Sequence, residues 1–179
     1  MQKVRDGEVA KLAVLFERHH GSLYGYFVRL TGNRSGAEDM VQDVFFRILK
    51  YRSSYQDGHP FTAWMYGIAR RVHLDGAEKR TAEVIEIDAP GENREPASAE
   101  PGPGEQLERR EETALLRRAL AALPVDKREI LVLSRYQNLK YEQIAEILNC
   151  DPGAVKVRVY RAVKALGQVF RQLSSEKAS

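Results

Sequence analysis

Between Pro90 and Gly104, seven of fifteen residues are proline or glycine: Pro90, Gly91, Pro96, Pro101, Gly102, Pro103 and Gly104. Proline removes a backbone donor and glycine carries the largest chain entropy, so such a stretch neither continues a helix nor buries apolar surface. It predicts an extended, mobile linker that cuts the chain in two. On both sides apolar residues recur at helical spacing, with no convincing alternating strand pattern. The expected fold is all-α: two helical domains joined by a flexible linker. The boundaries fall at residues 1–80, 81–112 and 113–173.

Charge sharpens this division. Residues 81–108 carry eight acids (Glu83, Glu86, Asp88, Glu92, Glu95, Glu100, Glu105 and Glu108) against one base, Arg94. The rest of the chain holds 27 bases against 17 acids. A basic body interrupted by an acidic strap points toward nucleic acid as a partner. Cys150 is the only cysteine, which rules out an internal disulfide and a cysteine-rich zinc site. Met1 to Lys11 lacks a signal-like apolar run, and no stretch approaches the roughly 20 apolar residues that span a bilayer. The expectation is a soluble, cytoplasmic protein with no membrane insertion.

In the first cluster, Leu12, Leu15, Phe16, Leu23, Phe27 and Leu30 trace one amphipathic helix ending near Thr31-Gly32. Ser35-Gly36-Ala37-Glu38 reads as a capping box opening a helix that buries Val41, Val44, Phe45 and Ile48. After a break at Asp57-Gly58-His59-Pro60, Phe61, Trp64, Met65, Ile68 and Val72 share an arc of about 100°. Tyr66, Arg70 and His73 lie on the opposite side. The second cluster begins near Glu105, with Leu115, Leu116, Ala119, Leu120 and Leu123 on one helix. Asp126 is expected to cap the next, whose apolar face is Ile130, Leu131 and Leu133.

Two short helices follow, 140–148 and 153–171, separated by Asn149-Cys150-Asp151-Pro152. Asp151 suits an N-cap and Pro152 the first turn. Two helices joined by so few residues, the second rich in bases, describe a helix-turn-helix. On the last helix Val155, Val159, Ala162, Val163 and Leu166 share one face. Lys156, Tyr160, Arg161, Lys164 and Arg171 fall on the other, with Val157 among them. Residues 153–172 hold five bases and no acid. Such a face can enter the major groove and contact guanine edges or phosphates.

Three motifs, and the entry to one of them, carry a specific resemblance. Tyr141-Glu-Gln-Ile-Ala-Glu-Ile-Leu148 with Gly153-Ala-Val-Lys-Val-Arg158 and Arg161-Ala-Val-Lys-Ala-Leu166 resembles the fourth region of extracytoplasmic-function sigma factors. Leu123-Pro124 with Arg128-Glu129 is similar to the start of that region. Ala37-Glu-Asp-Met-Val-Gln-Asp-Val-Phe45 resembles the polymerase-binding helix of the second region. Trp64-Met-Tyr-Gly-Ile-Ala-Arg-Arg-Val-His-Leu-Asp75 resembles the helix that reads the −10 element.

The resemblance implies promoter recognition as a subunit of RNA polymerase. It places Asp39, Gln42 and Asp43 against the coiled coil of the beta-prime subunit, with the beta subunit as a further partner. It implies −10 contacts from Tyr55, Tyr66, Arg70, Arg71 and His73, and −35 contacts from Lys156, Val157, Arg158, Tyr160, Arg161 and Lys164. Phe61 and Trp64 are assigned to the core. Arg71 departs from the asparagine often found there, which leaves open the bases contacted. An anti-sigma factor is implied as regulator. The acidic linker either threads a basic polymerase channel or only spaces two basic domains.

No catalytic residues, metal or cofactor are expected. His19, His20, His59 and His73 lack metal-ligand spacing, and nothing in the sequence converges on Asp39 and Asp43. A free-standing helix-turn-helix regulator that binds DNA without polymerase is the competing reading.

Overall fold

The structure is a computed structural model that describes the backbone of residues 1–82 and 103–178 and the side chains of residues 1–77 and 110–176. Among these residues there are helices and turns but no strand. The helices are α1 (Gln2–Arg5), α2 (Lys11–Thr31), α3 (Arg34–Lys50), α4 (Phe61–Ala82), α5 (Pro103–Ala121), α6 (Val125–Leu131), α7 (Tyr141–Leu148) and α8 (Pro152–Ala178). A 3-10 turn at Arg52–Ser54 follows α3, and one π-type turn, Val132–Tyr136, prolongs α6. No described helix is long and apolar enough to cross a membrane.

The acidic strap lies mostly on residues 83–102, outside the described residues. Its expected end at residue 112 moves: α5 already begins at Pro103. A proline at the first helical position loses only an amide that has no helical partner there, and its fixed φ suits the turn. The same residue type that breaks a helix from within therefore opens this one.

Helix α2 stops where Gly32 adopts φ +73°, a left-handed cap that glycine takes without strain. The cap of α3 is Asn33, not Ser35. Asn33 is extended, and its Oδ1 accepts the Gly36 amide at 2.8 Å while its own amide donates to Thr31 Oγ1 at 3.2 Å. The left-handed break at Gly32 places Asn33 in the capping position and leaves Ser35 exposed inside the first turn.

Helices α2, α3 and α4 form the first half around Leu23, Phe27, Val44, Ile48 and Met65, all fully buried. Ile68 and Val72 join them, and Phe61 and Trp64 pack half-buried at the edge. In the second half Leu123, Ile130, Leu131, Leu133, Ile144, Val155, Val159 and Ala162 are buried. Asp126 sits in the first turn of α6 rather than capping it; Pro124 precedes the helix. Asn149 closes α7 in a left-handed conformation, and Asp151 Oδ1 accepts the Gly153 amide at 2.7 Å to open α8. Helix α8 outruns its expected end at 171, with Leu166 and Val169 continuing its packed stripe. Val163 is 43% exposed, not inward as expected. It lies about 80° around the helix from Val155, beyond the width of the packed face.

The two halves do not stand apart. Helix α4 packs on α7, and α2 packs on α5, α6 and the π-turn. One continuous apolar cluster runs through both. Replacing Asn33 with alanine removes a side-chain cap and is expected to cost about 1 kcal/mol of stability in a urea melt. Ser35→Ala is expected to cost much less, because that hydroxyl caps nothing.

Candidate nucleic-acid interface

The last helix presents one polar face. Lys156, Val157, Arg158, Tyr160, Arg161 and Lys164 are all exposed, whereas Val155, Val159 and Ala162 are buried. The separation follows from the helical repeat: each buried residue lies three or four positions from the next, leaving the bases between them outside. Tyr160 is 61% exposed, and Lys164 Nζ lies 5.1 Å from its ring centroid, a cation–π contact that holds both side chains near the helix surface. Val157, 47% exposed, is the apolar member of the face and can meet a thymine methyl. The short α7 and the Asn149–Asp151 turn hold this helix against the rest of the half, so its face is preorganised.

The expected −10 residues divide. Arg71 is exposed, and Arg70 is half-exposed. Tyr55, Tyr66 and His73 are buried. Tyr55 contacts Trp64 and Phe61 edge-on, at ring separations of 5.4 and 6.3 Å, and its hydroxyl donates to the His59 carbonyl at 2.7 Å. These bonds fix the shape of the 52–60 loop. Helix α1 braces the same loop, a contact with no local signature in the sequence. Arg5 Nη1 lies 2.9 Å from Asp57 Oδ1 and donates to the Tyr55 carbonyl at 3.5 Å, and the Asp57 bond raises the arginine's pKa. A cleft of about 550 Å³ lies beside the loop, lined by Tyr55, Trp64, Arg70, Arg71, Glu146 and Asn149 among others.

Tyr66, Arg70 and His73 fall opposite the core face of α4, as its periodicity predicts. Tyr66 and Arg70 on that second face meet the other half of the chain. Tyr66 donates to Gln137 Oε1 at 2.6 Å, and Gln137 Nε2 donates to the Ser22 carbonyl at 3.3 Å. Burial pushes the Tyr66 hydroxyl well above its usual range. Gln143 Nε2 reaches Thr62 Oγ1 at 3.4 Å.

At the centre lies Glu129, a buried carboxylate on α6. Tyr26 donates to its Oε1 at 3.0 Å, and Arg70 Nε sits 3.4 Å from both its oxygens. Burial raises the Glu129 pKa, and Arg70 and the Tyr26 hydrogen bond oppose that shift. The neighbouring Arg128 donates from Nη1 to the Leu30 carbonyl at 2.5 Å and from Nη2 to the carbonyls of Leu123 and Ala121. It thereby serves the C-terminal ends of α2 and α5 together.

On α3, Asp39 and Gln42 are exposed, and Asp43 is half-buried. Arg47 grips Asp43 through two bonds of 3.0 and 3.2 Å and reaches Asp75 Oδ2 at 2.6 Å. Asp43 is therefore a positioned, already paired charge, whereas Asp39 points its charge outward. Phe46 continues this face and is 64% exposed. It stays outside because the buried stripe of α3 runs through Ala37, Val41, Val44, Phe45 and Ile48, and Phe46 lies about 100° beyond Phe45. No cluster of His, Cys, Asp or Glu among the described residues has the arrangement of a metal site.

The family model for Sigma-70 region 2 matches residues 15–83, and that for Sigma-70, region 4 matches residues 113–166. The chain is 30% identical over 178 residues to the RNA polymerase sigma factor CarQ of Myxococcus xanthus, covering 99% of each. It is 36% identical over 149 residues to the ECF RNA polymerase sigma factor EcfG of Rhodopseudomonas palustris, covering 83% of this chain and 79% of that one. In fold it is similar to the sigma factor RpoE solved with the anti-sigma factor NepR from Bartonella quintana, with a TM-score of 0.72 at 24% identity, covering 89% of this chain and 96% of that one. CnrH in complex with the cytosolic domain of CnrY gives a TM-score of 0.69 at 20% identity, over 96% of this chain and 94% of that one. With a second-region match on the first helical half, a fourth-region match on the other, and relatives aligned along nearly the whole length, the chain belongs to the extracytoplasmic-function sigma factors of the sigma-70 family.

Proposed function

We propose that this chain joins RNA polymerase core and directs it to promoters, with residues 1–80 at the −10 element and 113–173 at the −35 element. The observation that carries this reading is the one-sided last helix, whose Lys156, Arg158, Arg161 and Lys164 all face solvent. That helix is the −35 reader. Arg71, with Arg70, Tyr66, His73 and the Tyr55 loop, serves the −10 element. Aromatic groups beside that loop suit capture of an unpaired base, since stacking is worth about 1–3 kcal/mol and tolerates any base.

The α3 face docks on the beta-prime coiled coil. Asp39 supplies an unburied negative charge, Gln42 a hydrogen-bonding group, and Phe46 an apolar anchor of the kind that dominates interface energetics. Asp43 orients the face through Arg47. The beta subunit is the further contact, and an anti-sigma factor is the regulator, as for the RpoE neighbour solved with NepR. The protein acts in the cytoplasm and performs no catalysis of its own.

The deciding experiment is reconstitution. Purified core plus this chain is expected to start RNA at discrete sites on genomic DNA, mapped by sequencing transcript 5′ ends. Tight binding to a palindromic operator without polymerase, and no core-dependent initiation, would instead identify a free-standing regulator.

Two substitutions test the assigned faces. Arg161→Ala is expected to weaken −35 duplex binding by about 1–3 kcal/mol with relaxed sequence preference if Arg161 reads a base, or uniformly across sequences if it holds a phosphate. Unchanged affinity at low salt would remove Arg161 from the interface. Asp39→Arg is expected to lower core capture in a pull-down on the order of tenfold while leaving the thermal melt unchanged, because like charge then faces a basic partner.

A further inference from the structure

The 52–60 loop that the −10 reading uses is loosely tied by itself. Within it the His59 amide reaches the Gln56 carbonyl at 3.4 Å, and Gly58 turns the chain at φ +88°. Helix α1, by contrast, is fastened to the first half. Val4 is 1% exposed, Met1 packs on the core, and the Glu8 amide donates to the Lys3 carbonyl at 2.8 Å across the Gly7 turn. Arg5 joins the fastened element to the loose one. Its Nε donates to Asp6 Oδ1 at 3.0 Å, which orients the guanidinium. Its Nη1 meets Asp57 Oδ1 at 2.9 Å and the Tyr55 carbonyl at 3.5 Å. We propose that Arg5 is a positioning residue for −10 recognition, a clasp that holds the loop in the shape that accepts an unpaired base. The proposal rests on the promoter-recognition reading above and adds to it a residue that acts through the loop.

The clasp acts first through geometry. It grips the loop on both sides of Gln56, which is exposed and lines the cleft with Tyr55, His59 and Trp64. Fixing the residues before and after sets the path of the one between. The Tyr55 ring, buried against Phe61 and Trp64, anchors the loop by its side chain, and Arg5 anchors it by its backbone. A loop ordered before the strand arrives loses less entropy on binding. The clasp acts second through charge. Asp57 is half exposed, and an unpaired carboxylate there would repel the phosphates of any strand the loop holds. Its carboxyl is held below the usual carboxylate range chiefly by the Arg5 hydrogen bond, with Gln2 adding another. Exposed ion pairs ordinarily add little to stability, so the value of this one lies in placement rather than in the fold.

The test uses holoenzyme reconstituted from core and the full chain. The probes are the single-stranded −10 segment of a promoter mapped by the reconstitution experiment, the same segment with its bases substituted one at a time, and the −35 duplex. The readout is the ratio of affinities for the mapped and substituted segments, in which sequence-independent phosphate attraction cancels. Arg5→Ala is expected to lower that ratio about tenfold for the base the loop holds. A loop in the competent shape about a tenth of the time binds specifically about tenfold more weakly. Arg5→Lys, which keeps the charge without the planar fork, is expected to fall between. Asp57→Asn breaks the same clasp from the loop side and is expected to give the same loss. The double variant is expected to lose no more than either single one, because both act through one contact. Core capture and −35 duplex affinity are expected to stay as in the unsubstituted chain.

Should Arg5→Ala not fold, Asp57→Asn decides alone. An unchanged ratio, or losses that multiply in the double variant, overturns the clasp and leaves the promoter reading intact. An equal fall in core capture and −35 affinity makes Arg5 a residue of the fold only and likewise overturns the proposal. A holoenzyme of the unsubstituted chain that prefers no −10 segment overturns the promoter reading itself, and the clasp with it.

Discussion

A single carboxylate fixes how the two halves of this chain meet. Glu129 is buried, and its ionised form is tolerable there only with Tyr26 of α2 and Arg70 of α4 both in reach. Those partners come from two different helices of the first half. Their shared target therefore sets the position of α6 against both, along the helices and around them. Apolar packing alone would allow neighbouring registers at similar energy, because dispersion and burial are not directional. A buried polar triad does not, since sliding by one turn leaves a charge without a partner. Arg128, one residue earlier, adds a second fixed point by bonding the end of α2 at Leu30.

The helices themselves were largely readable. Apolar spacing located α2, α3, α4 and the helix-turn-helix, and Asp151-Pro152 marked the start of α8, because these features depend on residues within one or two turns. Local competition produced the small departures. Asn33 takes the cap from Ser35 because Gly32 sets where the backbone turns. Pro103 starts a helix rather than ending a linker because the run after it, Glu105 to Glu112, is built of strong helix formers.

What could not be read was which surface covers which. The periodicity of α4 identifies Met65, Ile68 and Val72 as one core face. It carries no information about a partner sixty residues further on, so Tyr66 and His73 read as outward. Glu129 carries no signal of burial in the sequence, because an acid at the edge of an apolar run looks the same whether it faces solvent or a distant tyrosine. The brace from Arg5 to Asp57 is hidden for the same reason: two charged residues so far apart in the chain have no local signature. Phe46 is the exception, since it falls outside the stripe traced by Val41, Val44, Phe45 and Ile48.

The unequal exposure of the two faces proposed to meet DNA has a physical origin in their composition. The α8 face consists of Lys156, Arg158, Arg161 and Lys164, with no described acid within hydrogen-bonding distance of any of them. Burying that many cations against protein would require as many matched carboxylates, and each unmatched one would be expelled by its own solvation. Such a face stays wet by default. The α4 face carries the buried rings of Tyr66 and His73, and only Arg70 requires a counter-charge. The atoms that suit it to stacking on an unpaired base suit it equally to packing against another helix. One buried acid, Glu129, is enough to complete the match. The surface proposed to hold bases is by the same chemistry one that protein can cover, and here Tyr66 and Arg70 meet the chain's own second half.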